Sequence, residues 1–131
     1  LKQPAASLAG LLAFRCRVLM HKGMLPAAIT TAGKLQTSQL PSPETTFESA
    51  CVLALLASSV SKADPPVAEE LKSRGEALAR SAVKRLVFLA SKKYFSSPDR
   101  VEKLKYTPDL DGLRNRMDFQ SLLKSLAARS G

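Results

Sequence analysis

One long stretch decides the fold: residues 64–94, with the sequence DPPVAEELKSRGEALARSAVKRLVFLASKKY. Its apolar residues recur at helical spacing and share one side of a helical wheel. That predicted buried side comprises Leu71, Gly75, Leu78, Ala79, Ala82, Val83, Leu86, Leu89 and Ala90. Basic side chains mark the opposite side as a solvated stripe: Arg74, Arg80, Lys84, Arg85 and Lys92. Val87 and Phe88 also fall on that side, so either another segment or a partner covers them.

The composition favours helices throughout the chain. With 131 residues the chain fits one domain, residues 1–131, and because residue 1 is Leu we expect a piece of a larger protein. Hydrophobic residues make up 45% but aromatic residues only 5%, so Leu, Ala and Val form the core. Strand patterns are absent, and the longest apolar run, residues 50–57, falls far short of the ~20 residues of a membrane span. The predicted fold class is all-α.

The net charge and the cysteine content limit the possible partners and the cellular compartment. The 20 basic and 11 acidic residues give a net charge of +9, which permits an acidic partner. Cys16 and Cys51 each sit inside an apolar helical pattern, which is typical of reduced core thiols in the cytoplasm. A disulfide between them remains an alternative.

Apolar periodicity and helix-start signals predict helices over about residues 7–22, 25–36, 43–61, 64–94, 98–105, 108–114 and 118–128, with a loop from residue 37 to residue 40. The predicted inner side of the first helix comprises Leu8, Leu11, Leu12, Val18 and Leu19. Gly23 follows that helix and predicts a left-handed corner of a helix hairpin. The centre of the third helix, residues 50–57, is apolar on every side, so we expect this helix to be the most buried.

Four helix starts share one pattern, in which a small oxygen-bearing residue precedes proline. The pattern occurs at Ser42-Pro43, Asp64-Pro65, Ser97-Pro98 and Thr107-Pro108. The side-chain oxygen can accept from free N–H groups of the first turn, and proline is tolerated at the first helical position. The acids that follow, such as Asp109, are explained by the helix dipole.

Several motifs resemble tetratricopeptide repeats. The segment KGMLPAAI, residues 22–29, looks like a repeat corner in which Ala28 lets two helices close together. Residues 47–55 and 76–83 resemble the two helices of a second repeat, with Ala82 in the same role. The tail TPDLDGLRNRMDFQSLL, residues 107–123, resembles the closing segment of tetratricopeptide regions in large bacterial serine/threonine protein kinases.

This resemblance implies two irregular antiparallel hairpins, residues 7–40 and 42–95, followed by a C-terminal cap over residues 97–131. A terminal repeat must cover its open apolar face, so we expect the cap to fold over Val87 and Phe88. The predicted covering residues are Leu104, Leu110, Leu113 and Phe119. The alternative is that Val87 and Phe88 stay exposed for partner binding.

The implied function is non-catalytic protein–protein interaction or scaffolding. The predicted contact surface is the concave side formed by the first helix of each hairpin, which would select an extended, partly acidic peptide. Its candidate residues are Arg15, Arg17, Glu48 and Leu55, with Val87 and Phe88 as further partner-binding candidates. The alternative is a basic helical module that binds nucleic acid or anionic surfaces through Arg80, Lys84, Lys92 and Lys93.

No catalytic, cofactor or metal site is predicted. The chain lacks the Gly-rich loop, H-R-D and D-F-G motifs of a kinase domain, so this fragment is not expected to be an enzyme. His21 is the sole histidine, and Cys16, five residues earlier, is not on an adjacent helix face. A zinc site takes four ligands, which this pattern does not supply.

Overall fold

The computed structural model describes residues 4–37, 42–63 and 69–130. Its α-helices are α1 (Pro4–His21), α2 (Leu25–Thr37), α3 (Pro43–Ser61), α4 (Glu69–Ser91), α5 (Pro98–Tyr106) and α6 (Met117–Ser130). Two 3₁₀ segments lie beside α5, at Tyr94–Ser96 and Pro108–Leu113. These described ranges contain no strand, so the prediction of an all-α fold is confirmed. The predicted start of the long helix at Asp64 lies outside the described residues.

The predicted helix boundaries follow from capping chemistry. The Ser42 hydroxyl accepts from the backbone N–H of Thr45 at 3.1 Å, and the Ser97 hydroxyl accepts from that of Arg100 at 3.3 Å. Gly23 has φ 76° and ends α1 in the left-handed conformation that glycine adopts without strain. Thr107 precedes only a 3₁₀ segment, and in this described part of the chain its side chain makes no capping bond.

The first four helices form two antiparallel pairs. Cys16 of α1 donates a long hydrogen bond to the carbonyl of Ala28 in α2, across the Gly23 corner. In the second pair, Arg85 of α4 donates to Ser49 near the start of α3, whereas Gly75 faces Val60 near the end of α3. Helices α3 and α4 are therefore antiparallel.

The two alanines expected at the helix crossings are fully buried. Ala28 and Ala82 each have 0% of their surface exposed, which allows close approach of the helices that carry them. The most extensive contact between helices joins α3 to α4, and α3 also contacts α1, α2 and the 108–113 segment. The predicted central position of α3 is confirmed by the burial of Val52, Leu53 and Leu56.

The buried side of α1 differs in part from the predicted one, although Leu12 and Leu19 do pack against the core as expected. Small residues at i, i+4 and i+7 face the core, namely Ala9, Ala13 and Cys16, whereas Leu8 and Leu11 are exposed. The first 11 positions of α1, residues 4–14, are uncharged, so periodicity could not distinguish one apolar side from another. The helix instead turns its small residues inward.

The C-terminal cap packs elsewhere than predicted. Its apolar side chains enter the core, and the most buried are Leu104, Leu110, Leu113 and Phe119. The 108–113 segment lies mainly against α3, and α6 contacts α4. Val87 and Phe88 nevertheless remain 47% and 53% exposed, so the prediction that the cap covers them is wrong.

Candidate interaction surface

Two of the predicted surface residues form an ion cluster with a residue from the tail. The Arg17 guanidinium donates to Glu48 at 3.0 Å and to Asp109 at 2.8 Å, which joins α1, α3 and the 108–113 segment. Burial alone would lower the pKa of Arg17, but the two carboxylates outweigh it and raise that pKa. Arg17 is therefore held in a fixed position between two chain segments.

The other two predicted residues do not join this cluster. Arg15 is exposed and lies two positions before Arg17, which places it about 200° around α1 from that residue. Leu55 is half-buried on α3, seven positions after Glu48 and hence on the same side of that helix. The structure thus brings together Arg17 and Glu48, whereas Arg15 points elsewhere.

The tail of the chain occupies part of the surface predicted for a peptide. Leu110 and Leu113 are buried, and Gly112 passes so close to α3 that an added Cβ would lie 2.9 Å from the Cβ of Ser58. Together with the ion pair of Asp109, these contacts place the 108–113 segment beside Arg17 and Glu48. The sequence did not predict the ion pair between Asp109 and Arg17, because the helix dipole already accounted for an acidic residue after Thr107-Pro108.

A second surface lies on the exposed side of α4. We define the α4 outer face as Arg80, Lys84, Val87, Phe88 and Lys92, all of which are exposed. Lys92 places its ammonium 5.6 Å from the centre of the Phe88 ring, within range of a cation–π contact. This face therefore combines half-exposed apolar side chains with cations at its edges.

Positive charge dominates this part of α4. Between Ala77 and Lys93 the sequence contains Arg80, Lys84, Arg85, Lys92 and Lys93 and no acidic residue. Arg80 pairs with Glu76 at 3.4 Å, whereas no acidic side chain of the described residues forms an ion pair with Lys84 or Lys92. The potential over Val87 and Phe88 is therefore positive.

Arg85 does not belong to the solvated stripe in which the sequence placed it. Its guanidinium donates to the hydroxyl of Ser49 at 3.1 Å and to the backbone carbonyl of Gln36 at 3.0 Å. Burial lowers the pKa of Arg85, and these two hydrogen bonds satisfy part of its donor capacity. Arg85 thus ties α4 to α2 and α3 instead of contributing to the surface.

The two cysteine thiols of the described part of the chain lie in the core and are not joined in a disulfide. Cys16 and Cys51 are free and buried, and burial raises their pKa to about 11 and about 12. Across residues 4–37, 42–63 and 69–130, no cluster of His, Cys, Asp or Glu could hold a metal ion. Within the same ranges no helix is both long and apolar enough to cross a membrane.

No protein-family model, no curated protein and no solved structure matches this chain. Its function is therefore inferred from the surfaces described above and from the motifs in its sequence.

Proposed function

We propose that this chain is a non-catalytic protein-interaction module and that its partner contacts the α4 outer face. The observation that carries the proposal is the exposure of Val87 and Phe88 although a C-terminal cap is present and folded into the core. Two adjacent large apolar residues on a helix, flanked by cations, are more typical of a binding surface than of a solvated one.

The motifs of the sequence support a tetratricopeptide-like arrangement of this module. The complete burial of Ala28 and Ala82 agrees with the small-residue crossings that such repeats require. We further propose that the module belongs to the repeat region of a bacterial serine/threonine protein kinase, on the resemblance of residues 107–123. Kinase motifs encoded upstream of Leu1 in the same reading frame would support that assignment, and a different upstream domain would overturn it.

A peptide library tests the proposed surface without knowledge of the partner. Random 12-residue peptides are displayed and selected against the wild-type chain, and the enriched peptides are then measured by fluorescence polarisation. We expect the paired change Val87→Ser with Phe88→Ser to weaken binding at least 10-fold, because both anchors of the surface are lost.

The matched control is the pair Leu11→Ser with Phe14→Ser on α1. These side chains are 63% and 65% exposed, so the control removes a comparable apolar area from a different helix. Unchanged binding by the control variant is expected. Equal weakening by both pairs, or the absence of any enriched peptide, would contradict the proposed surface.

A second candidate function is binding of nucleic acid or anionic surfaces. It is favoured by Lys84 and Lys92 of the α4 outer face, which form no ion pair with any described residue, together with Lys93, two positions beyond the end of α4. Titration with random duplex DNA at several salt concentrations separates the two functions. A steep decline of the logarithm of affinity with the logarithm of salt concentration indicates contacts with phosphates. At ~0.3 M salt the Debye length is below ~8 Å, so interactions between exposed charges are strongly screened. Peptide binding that persists at this salt concentration supports protein interaction.

A further inference from the structure

 A mainly apolar cavity opens where the end of α4 meets α5 and α6. The cavity at the end of α4 has a volume of about 610 Å³. Its apolar lining comprises Ala90, Phe95, Pro98, Val101 and Leu126.

Two lysines and one acid lie among the polar residues that line the cavity. Lys93 and Lys105 are exposed, as is Glu102, and no ion pair within the described ranges neutralises either lysine. The lining therefore carries a net positive charge around an apolar interior. A ligand that complements it is apolar at its centre and acidic at its edges.

The cavity is continuous with the α4 outer face. Ala90 and Ser91 line the cavity, and they follow Val87 by three and four residues, which places them beside it on one side of the helix. Four residues of helix span about 6 Å. A single bound segment can therefore cover Val87 and also reach the cavity.

Lys93 occupies a backbone position that favours glycine. Its φ is 66°, and its N–H donates to the carbonyl of Ala90 at 3.0 Å, so it ends α4 in the left-handed conformation. A lysine there adds strain but supplies a cation to the cavity. This second observation agrees with a role for the Lys93 side chain in binding.

We propose that the cavity accepts a large apolar side chain from an acidic peptide segment of a partner protein, whose carboxylates pair with Lys93 and Lys105. This inference rests on the proposed function, since the same segment would cross Val87 and Phe88. It adds the chemistry of the partner: one apolar anchor with acidic residues close to it in sequence.

The peptides enriched against the wild-type chain test this chemistry. We expect them to contain an aromatic or large aliphatic residue flanked by Asp or Glu. Val101→Phe extends a ring into the cavity and should weaken their binding at least 10-fold. The pair Lys93→Gln with Lys105→Gln removes both cations from exposed positions and should weaken binding to a similar extent.

The control for the charge change is Lys22→Gln with Lys34→Gln, two exposed lysines on other elements. It should leave affinity within 2-fold of wild type. If binding requires Val87 and Phe88 but tolerates the cavity and lysine variants, the cavity proposal is overturned and the proposed function stands. If binding tolerates the Val87 and Phe88 changes as well, both fail. Random duplex DNA that displaces the peptides at 0.3 M salt overturns the acidic-peptide assignment.

Discussion

Replacing Gly112 by Ala tests whether the 108–113 segment is docked on α3. The new Cβ would lie 2.9 Å from the Cβ of Ser58 and 3.2 Å from its hydroxyl oxygen. A Cβ is fixed by the backbone and cannot rotate away, so the segment itself must move. Overpacking of this kind costs about 1–3 kcal/mol, and we expect a loss of about 2 kcal/mol in the free energy of unfolding measured in urea.

Gly33→Ala is the matched control for this change. Gly33 lies within α2, and an added Cβ there meets no atom within 4 Å. The substitution should therefore stabilise the protein by about 0.5–1 kcal/mol through helix propensity. The two glycine variants are expected to shift stability in opposite directions.

A double-mutant cycle isolates the contact itself. Ser58→Gly removes both atoms that the Gly112→Ala methyl approaches most closely, and the remaining Ser58 Cα is 3.7 Å away, at ordinary contact distance. In that background Gly112→Ala should cost little, giving a coupling energy of about 1–2 kcal/mol. Additivity within about 0.5 kcal/mol, or a stabilising Gly112→Ala, would refute the docking of the tail on α3.

Three further predictions concern the backbone, the thiols and the ion cluster. Lys93→Gly should raise the free energy of unfolding by about 1 kcal/mol, because glycine adopts φ 66° without strain; a lower melting temperature would contradict this. Burial raises the pKa of Cys16 to about 11 and that of Cys51 to about 12, so both should react slowly with a thiol reagent at pH 8 in the native protein. Unfolded thiols lose their protons first, so stability should fall as the pH rises from 9 through the folded pKa values, and replacement of both cysteines by Ala should flatten that decline. Arg17→Met should lower the free energy of unfolding by about 1 kcal/mol, because it removes both ion pairs of Arg17. In 1 M NaCl the difference in this free energy between the variant and the wild type should be smaller.

The sequence was sufficient to predict which side of a helix is buried where the apolar and charged sides of that helix are distinct. In α4, the buried residues between Leu78 and Ala90 share one side of the helix and most basic residues lie on the other. The buried side that the sequence predicts is the one observed. In α1 the first part lacks charge, so every side is equally compatible with burial and the packing of small residues decides. Periodicity predicts that such a helix is apolar but not which side faces inward.

The surface was less accessible to sequence reasoning because it depends on where the tail docks. The apolar residues of the cap were correctly expected to be buried, but their partner was not: Leu110 and Leu113 face α3 instead of covering Phe88. The ion cluster of Arg17 joins residues that are 31 and 92 positions apart, and no local pattern encodes that proximity. The composition shows the positive charge of the chain but not its separation into the half-buried Arg85 and the exposed lysines of α4.

Exposed apolar area alone does not distinguish the α4 outer face from the outer side of α1. Leu11 and Phe14 are at least as exposed as Val87 and Phe88. Non-specific hydrophobic binding would therefore involve both helices to a similar extent. The surrounding charge differs in amount: the exposed Arg15 lies beside Leu11 and Phe14 on α1, whereas Lys84 and Lys92 flank the apolar residues of α4 on both sides. Because charge complementarity selects partners more than it adds raw affinity, a ligand that discriminates between these two surfaces has been selected by the cations of α4 and not by its apolar area.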